Sequence, residues 1–212
     1  MIRVLGIGPG SPNLLTLECI DIIRHAKHLI GTRRQLAIVE KALAIWGSNT
    51  ELLEWHPYDG TLNVLADLIQ VLLDKEEIPI VLASGDPNFY GVGDWIKRNF
   101  TNEEIEITMG LSSSQYMFNR IGQPMHDVYM TSVHGREPDF GLWSKMKRIC
   151  VLTDNKWTPN AIADEMIKRG DNPILYIGER LSYPDEIMTI CTADSVPLKE
   201  YAMNVVVIEY ER

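Results

Sequence analysis

Ile2-Arg3-Val4-Leu5-Gly6-Ile7-Gly8-Pro9-Gly10-Ser11-Pro12 decides how the rest of the chain is read. Ile2 to Ile7 is a short apolar run of the kind that forms a buried strand. It breaks into glycines and prolines, which let the backbone turn sharply and come close to a ligand. Thr16 to Ala26 then places Leu17, Ile20 and Ile23 at helical spacing, so the opening unit is strand, loop, helix.

The same alternation runs outward from there. His28 to Gly31 reads as a short strand, and Arg33 to Trp46 as a helix with Leu36, Val39, Ala42, Leu43 and Trp46 on one side. Glu51 to Glu54 is the expected third strand, Leu62 to Leu73 an amphipathic helix, and Ile78 to Ser84 a buried strand. Gly91 to Phe100 and Ser112 to Ile121 are expected helices, with Ile105 to Thr108 a strand between them. This β-α order implies an α/β fold with a largely parallel sheet and helices on both faces. The texture changes near Gly135 to Leu142, and Gly135-Arg136-Glu137-Pro138-Asp139 is the expected linker. Two α/β domains follow, 1–134 and 135–212. In the second, Arg148 to Thr153, Pro173 to Ile177, Ile187 to Thr192 and Asn204 to Tyr210 are expected strands, and Pro159 to Arg169 a helix. The continuous Val205-Val206-Val207-Ile208 marks the last strand as a central one.

Composition narrows the function. The 212 residues are 45% hydrophobic and 23% charged, ordinary for a globular chain. No apolar run approaches the ~20 residues that cross a bilayer, and the N-terminus lacks a signal-peptide layout, so a cytoplasmic location without membrane contact is expected. A net charge of −9, with no Lys/Arg-rich run, argues against nucleic acid as a partner. Cys19, Cys150 and Cys191 are far apart and read as buried small hydrophobes. His25 and His28 fit a shared helix face but lack a Cys or carboxylate companion at ligand spacing, so no metal site is expected.

Three loops carry the chemistry, and each follows an expected strand, where α/β sheets collect ligands. The first holds Pro9 among glycines. It is no dinucleotide fingerprint, because Ser11 stands where glycine is required and Ile30-Gly31-Thr32 lacks the acidic strand end. The second, Ser84-Gly85-Asp86-Pro87-Asn88-Phe89-Tyr90-Gly91-Val92-Gly93, sets one acidic side chain among glycines, as a ribose or amine acceptor or as a turn former. The third, Gly110-Leu111-Ser112-Ser113-Ser114-Gln115, starts a helix whose free amides cap themselves or hold a carboxylate.

Together these loops resemble the tetrapyrrole methylase family, whose members carry a GxGPGxP loop after the first strand, a GDP-containing loop after the fourth and a Gly-x-Ser-Ser helix start. The likeness continues through Leu152-Thr153-Asp154, Thr158-Pro159 and Gly178-Glu179-Arg180-Leu181-Ser182-Tyr183-Pro184-Asp185-Glu186. That last stretch, with Ser113-Ser114-Gln115 and His134-Gly135-Arg136, is most similar to the branch that methylates C-5 of precorrins. Ser11 replaces an aspartate common in the first loop, and Met109 a proline before the third.

The resemblance implies methyl transfer from S-adenosylmethionine to a precorrin in cobalamin biosynthesis, with cobalt-precorrin-7 as acceptor. It implies a cofactor cleft between the two domains, contacted by Pro9, Gly85, Asp86, Phe89, Ser112, Ser113, Thr153 and Gly178. For a carboxylate-rich tetrapyrrole, Arg33, Arg136 and Arg180 are the expected cationic contacts, Tyr183 a stacking surface, and His134 the general base if one is needed. It further implies a homodimer and, since nothing follows Arg212, a separate decarboxylating C-15 methyltransferase as partner. Other readings stay open: a relative acting on uroporphyrinogen III or another precorrin, a diphthine synthase, a nicotinamide dehydrogenase, and a non-catalytic adenosine-nucleotide-binding regulator.

Overall fold

The structure is a computed structural model and describes residues 1–47 and 52–210. The chain divides into two compact units, Met1–Ser112 and Ser113–Arg212.

In the first unit, β1 (Ile2–Gly6), β2 (His28–Thr32), β3 (Glu54–Tyr58), β4 (Ile80–Ala83) and β5 (Ile105–Thr108) form one sheet in the order β3-β2-β4-β1-β5. Every pairing in it is parallel. Parallel neighbours need a crossover, and α1 (Leu17–Arg24), α2 (Arg33–Ile45), α3 (Leu62–Leu73) and α4 (Gly93–Asn99) lie in the intervening chain. Thr16 caps α1 by accepting from Cys19 N–H at 3.1 Å. Thr32 and Gln35 form a reciprocal capping box on α2. Leu65, Ile69 and Leu72 of α3 pack against Val4, Ile30 and Val81. Burying each such side chain contributes roughly 1.5–3 kcal/mol. Leu36 of α2 meets Gly31 and Leu82 on the opposite face, so helices cover both sides as the pattern predicts.

The third strand differs from expectation. β3 begins at Glu54 instead of ending there, and Glu51 lies outside the described residues. Pro57 sits inside this strand, which is tolerated because β3 is the edge of the sheet and one side of it needs no ladder donor.

The second unit contains α5 (Ser113–Ile121), β6 (Val128–Ser132), α6 (Phe140–Trp143), β7 (Arg148–Leu152), α7 (Pro159–Lys168), β8 (Ile174–Glu179), β9 (Ile187–Thr192) and β10 (Asn204–Glu209). Its sheet runs β6-β7-β10-β8-β9 and is mixed. β6 and β7 are parallel, while β10 is antiparallel to both β7 and β8, and β8 to β9. β10 is central, as its apolar run predicts. Val206 and Ile208 join Ile162 and Met166 of α7, and Val205 and Val207 join Met117 and Phe118 of α5.

The stretch read as a linker is built into this unit. Phe140 and Trp143 are buried in its core, with Asp139 capping α6 through Leu142 N–H. β6, not anticipated from the sequence, pairs with β7, so the division falls at 112/113 and not after 134. Among the described residues no helix is long and apolar enough to cross a membrane.

Candidate active site

The loops that leave β1, β4 and β5 meet backbone to backbone inside the first unit. Gly8 and Gly85 form an isolated bridge, with Gly85 N–H donating to Gly8 O at 2.8 Å and Gly8 N–H to Gly85 O at 3.3 Å. Both hold positive φ, 77° and 66°, where a side chain is strained. Gly6 and Gly110 sit closer still. A Cβ on Gly110 would lie 2.2 Å from Gly85 O and 2.6 Å from Gly6 C. Pro9, Gly85, Asp86 and Ser112 are thus gathered at the carboxyl end of one parallel sheet. This is the place the strand order predicts for a ligand.

Asp86 ties two of these loops. Its Oδ1 accepts from Asn88 N–H at 2.8 Å and its Oδ2 from Gly110 N–H at 3.2 Å. Each carboxylate oxygen retains a lone pair, so the turn-forming role and a ligand-accepting role coexist. Phe89 meets Tyr90 edge-on, ring centroids 5.1 Å apart, in the turn where Phe89 N–H donates to Asp86 O at 3.2 Å. Ser112 is buried. Cys19 lies under the loops with Sγ 3.2 Å from Gly6 O, and burial pushes its thiol pKa up, so it stays protonated and donates.

Arg33 is exposed at the first turn of α2, and it is the next residue that reaches the second loop. Arg34 Nη2 donates to Ser84 Oγ at 2.8 Å, and Gln35 Nε2 does so at 3.2 Å. Sequence reasoning missed Arg34, Gln35 and Ser84. The Thr32-x-x-Gln35 capping-box spacing was the available signal, since it sets the rotation of the helix.

The second unit gathers its own set. Ser132, Leu152, Val205, Gly178 and Met188 stand in register across the sheet. Because β6, β7 and β8 run the same way, His134, Thr153 and Arg180 all follow that row at one sheet end. Thr153 is buried and its hydroxyl donates to Asn204, 2.9 Å from the backbone oxygen and 2.8 Å from Oδ1. His134 is exposed, its N–H 3.3 Å from Ser132 Oγ. The carboxyl of neighbouring Asp154 lies below the ordinary aspartate range. Burial opposes the shift, and hydrogen bonds from Trp157 and Lys156 N–H, with the nearby His134, outweigh it. Arg136 is exposed in the following turn, its N–H donating to Val133 O.

Arg180 and Tyr183 engage each other. The guanidinium lies 4.8 Å over the Tyr183 ring and pairs with Asp185 at 2.5 Å. Arg180 (φ 48°) and Ser182 (φ 69°) hold left-handed backbone, a local strain of the kind found at binding turns. Gly178 is buried in β8, and a Cβ there would meet Leu181 Cδ2 at 2.6 Å and Met117 Sδ at 2.7 Å. Ser113 opens α5 at the start of the unit.

A parallel sheet with glycine-packed loops at its carboxyl end and no diphosphate fingerprint, followed by a mixed five-stranded sheet, is the pattern of one class. The profile described as Tetrapyrrole (Corrin/Porphyrin) Methylases matches residues 1–197, and the chain belongs to this family of S-adenosylmethionine-dependent methyltransferases. It is 33% identical over 213 aligned positions to the cobalt-precorrin-7 C(5)-methyltransferase of Salmonella typhimurium, covering 100% of both chains. It is 26% identical to a decarboxylating precorrin-6Y C(5,15)-methyltransferase of Mycobacterium tuberculosis, covering 99% of this chain and 52% of that one. The fold matches a uroporphyrin-III C-methyltransferase of Thermus thermophilus, solved with S-adenosylhomocysteine, at TM-score 0.74 and 19% identity over 98% of this chain and 91% of that one.

Proposed function

We propose that the chain methylates C-5 of cobalt-precorrin-7 in cobalamin biosynthesis. The observation that carries this reading is the packing of the β1, β4 and β5 loops around Asp86, together with full-length similarity to a C-5 methyltransferase. The residues fit the donor. A carboxylate with free lone pairs, aromatic rings and close-approaching backbone suit a cationic nucleoside, whereas Asp86 would repel a dinucleotide's diphosphate.

S-adenosylmethionine, when bound, supplies a methyl already activated by its sulfonium, so no nucleophilic side chain is required. The protein's work is to orient and to exclude water. Pro9, Gly85 and Phe89 shape the donor's surroundings, Asp86 accepts its polar hydrogens, and Ser112 and Ser113 offer amides. The family resemblance is what adds Thr153 and Gly178 to the donor's residues. Arg33, Arg136 and Arg180 meet acceptor carboxylates, Arg180 exchanging Asp185 for one of them. Tyr183 lies against the ring, and His134 takes the departing proton. We place the protein in the cytoplasm as a homodimer. A separate C-15 decarboxylating methyltransferase would act beside it, the function to which the longer Mycobacterium relative's name also refers.

Incubation with methyl-labelled S-adenosylmethionine and cobalt-precorrin-7, read by mass spectrometry and NMR of the corrinoid, tests the reading. One labelled methyl at C-5 is expected. Label at another carbon, or on uroporphyrinogen III alone, replaces the acceptor; tight adenosine binding with no transfer leaves a regulator. Asp86→Ala should weaken donor binding at least about tenfold, close to 1.4 kcal/mol. Unchanged affinity would remove the side chain from the site.

A further inference from the structure

At the amino end of the first sheet, away from the three loops, β2 and β3 bring two histidines and a glutamate together. His28 is in register with Glu54, and Ile30 with His56, so His28, Glu54 and His56 project from one sheet face. His28 Nδ1 is 3.1 Å from His56 Nε2 and 3.4 Å from Glu54 Oε2. Ligand atoms bound at about 2.0–2.2 Å around a tetrahedral ion stand roughly 3.3 Å from one another. One ligand atom from each of the three residues falls within a 4.8 Å span.

We propose that His28, Glu54 and His56 bind a divalent transition-metal ion, with Glu77 as the outer partner that orients His28. The donor set of two imidazoles and a carboxylate suits zinc, cobalt(II), nickel or copper, and not magnesium or calcium. Three protein ligands leave a position for water.

The hydrogen-bonding pattern supports an ion. The His28 side chain is 6% exposed, and its Nε2 is buried without a hydrogen-bond partner. Glu77 Oε2 lies 3.7 Å from it, on a carboxylate that also pairs with Lys27. Without a cation, each tautomer of His28 leaves a conflict. A proton on Nδ1 serves His56 but turns a bare Nε2 toward Glu77. A proton on Nε2 lets Nδ1 accept from His56 Nε2–H, but holds its lone pair 3.4 Å from the Glu54 carboxylate. A metal at Nδ1 removes both conflicts, because the His28, His56 and Glu54 lone pairs then share one cation and Nε2–H points at Glu77. Carboxylate-backed imidazole ligands of this kind are a recurring device. Lys75 and Lys27 are the basic groups facing the cluster, and Glu54 and Glu77 the acidic ones. Lying at the opposite end of the strands from the loops, the ion would pin the edge strand β3 to β2 and take no part in methyl transfer.

The spacing of His25 and His28 gave no hint of this, because His28 starts a strand and its companions come from the next one. The test is titration of chelator-treated full-length protein with cobalt(II), read by ligand-field absorption, followed by displacement with zinc. One equivalent with a tetrahedral spectrum is expected, along with a melting temperature that rises with zinc concentration and not with magnesium. His56→Gln and Glu54→Gln, both less buried than His28, should each weaken binding by more than the 10–100-fold typical of losing an outer-shell partner. His126→Gln, on an exposed residue elsewhere, should change nothing. The proposal fails if saturable binding is absent, or if it survives unchanged in the His56 and Glu54 variants.

Discussion

The two sheets solve the same problem in different ways. In the first, all five strands run in one direction, so every strand delivers its loop to one end and the loops close on each other through bare backbone at Gly6, Gly85 and Gly110. In the second, β10 and β9 run against the rest. Its candidate residues are aligned by ladder register, and the space beside Gly178 is filled by the ends of Leu181 and Met117. Buried charge divides the same way. Of the acidic and guanidinium side chains, those buried among the described residues, Arg148 and Glu179, both belong to the second unit. This parallel arrangement gathers its loops at one end and leaves no room for a Cβ at Gly6 or Gly110. A mixed one tolerates side-chain adjustment and needs polar ties to hold its register.

This contrast can be broken by adding one methyl group. Gly110→Ala should have the largest effect, about 3 kcal/mol or more, since the new Cβ meets backbone atoms at 2.2 and 2.6 Å that cannot move without opening the loops. Urea unfolding measures it. Glu209→Gln should come next, at about 2 kcal/mol, because it removes the charge partner of Arg148 and an acceptor of Tyr176. Burial raises the Glu209 pKa, but hydrogen bonds from Arg148 and Tyr176 outweigh it, and the carboxyl lies below its ordinary value of 4.5. Its contribution is therefore complete above the unfolded value and is lost as pH falls through the folded one. The parent should weaken on acidification below pH ~4.3, and the variant should lose that part of the slope. Gly178→Ala should cost least, about 1 kcal/mol, because Met117 and Leu181 can rotate away. Equal costs for the Gly110 and Gly178 variants would erase the distinction between a backbone-packed and a side-chain-packed site.

Where a local pattern carried the information, the sequence was enough. Leu62–Leu73 and Ile105–Thr108 lie where hydrophobic period places them, and the apolar run in β10 announced a strand covered on both faces. The three loops were visible because glycine and proline mark turns whatever surrounds them. The failures came where distant partners decide. Residues 135–142 have the composition of a linker, yet Phe140 and Trp143 anchor a core whose other half comes from β7, α7 and β10. β6 is a strand because β7 offers it a ladder.

By itself, then, the sequence determined most element types, the glycine-marked turns and the family, all of which depend on residues close together in the chain. Tertiary structure alone decided that Asp86 reaches Gly110 N–H, that Arg34 and not Arg33 meets Ser84, and that His28 faces Glu54 and His56. Those pairings join residues that only parallel strand register brings side by side. Register is set by the whole sheet, and no local spacing encodes it.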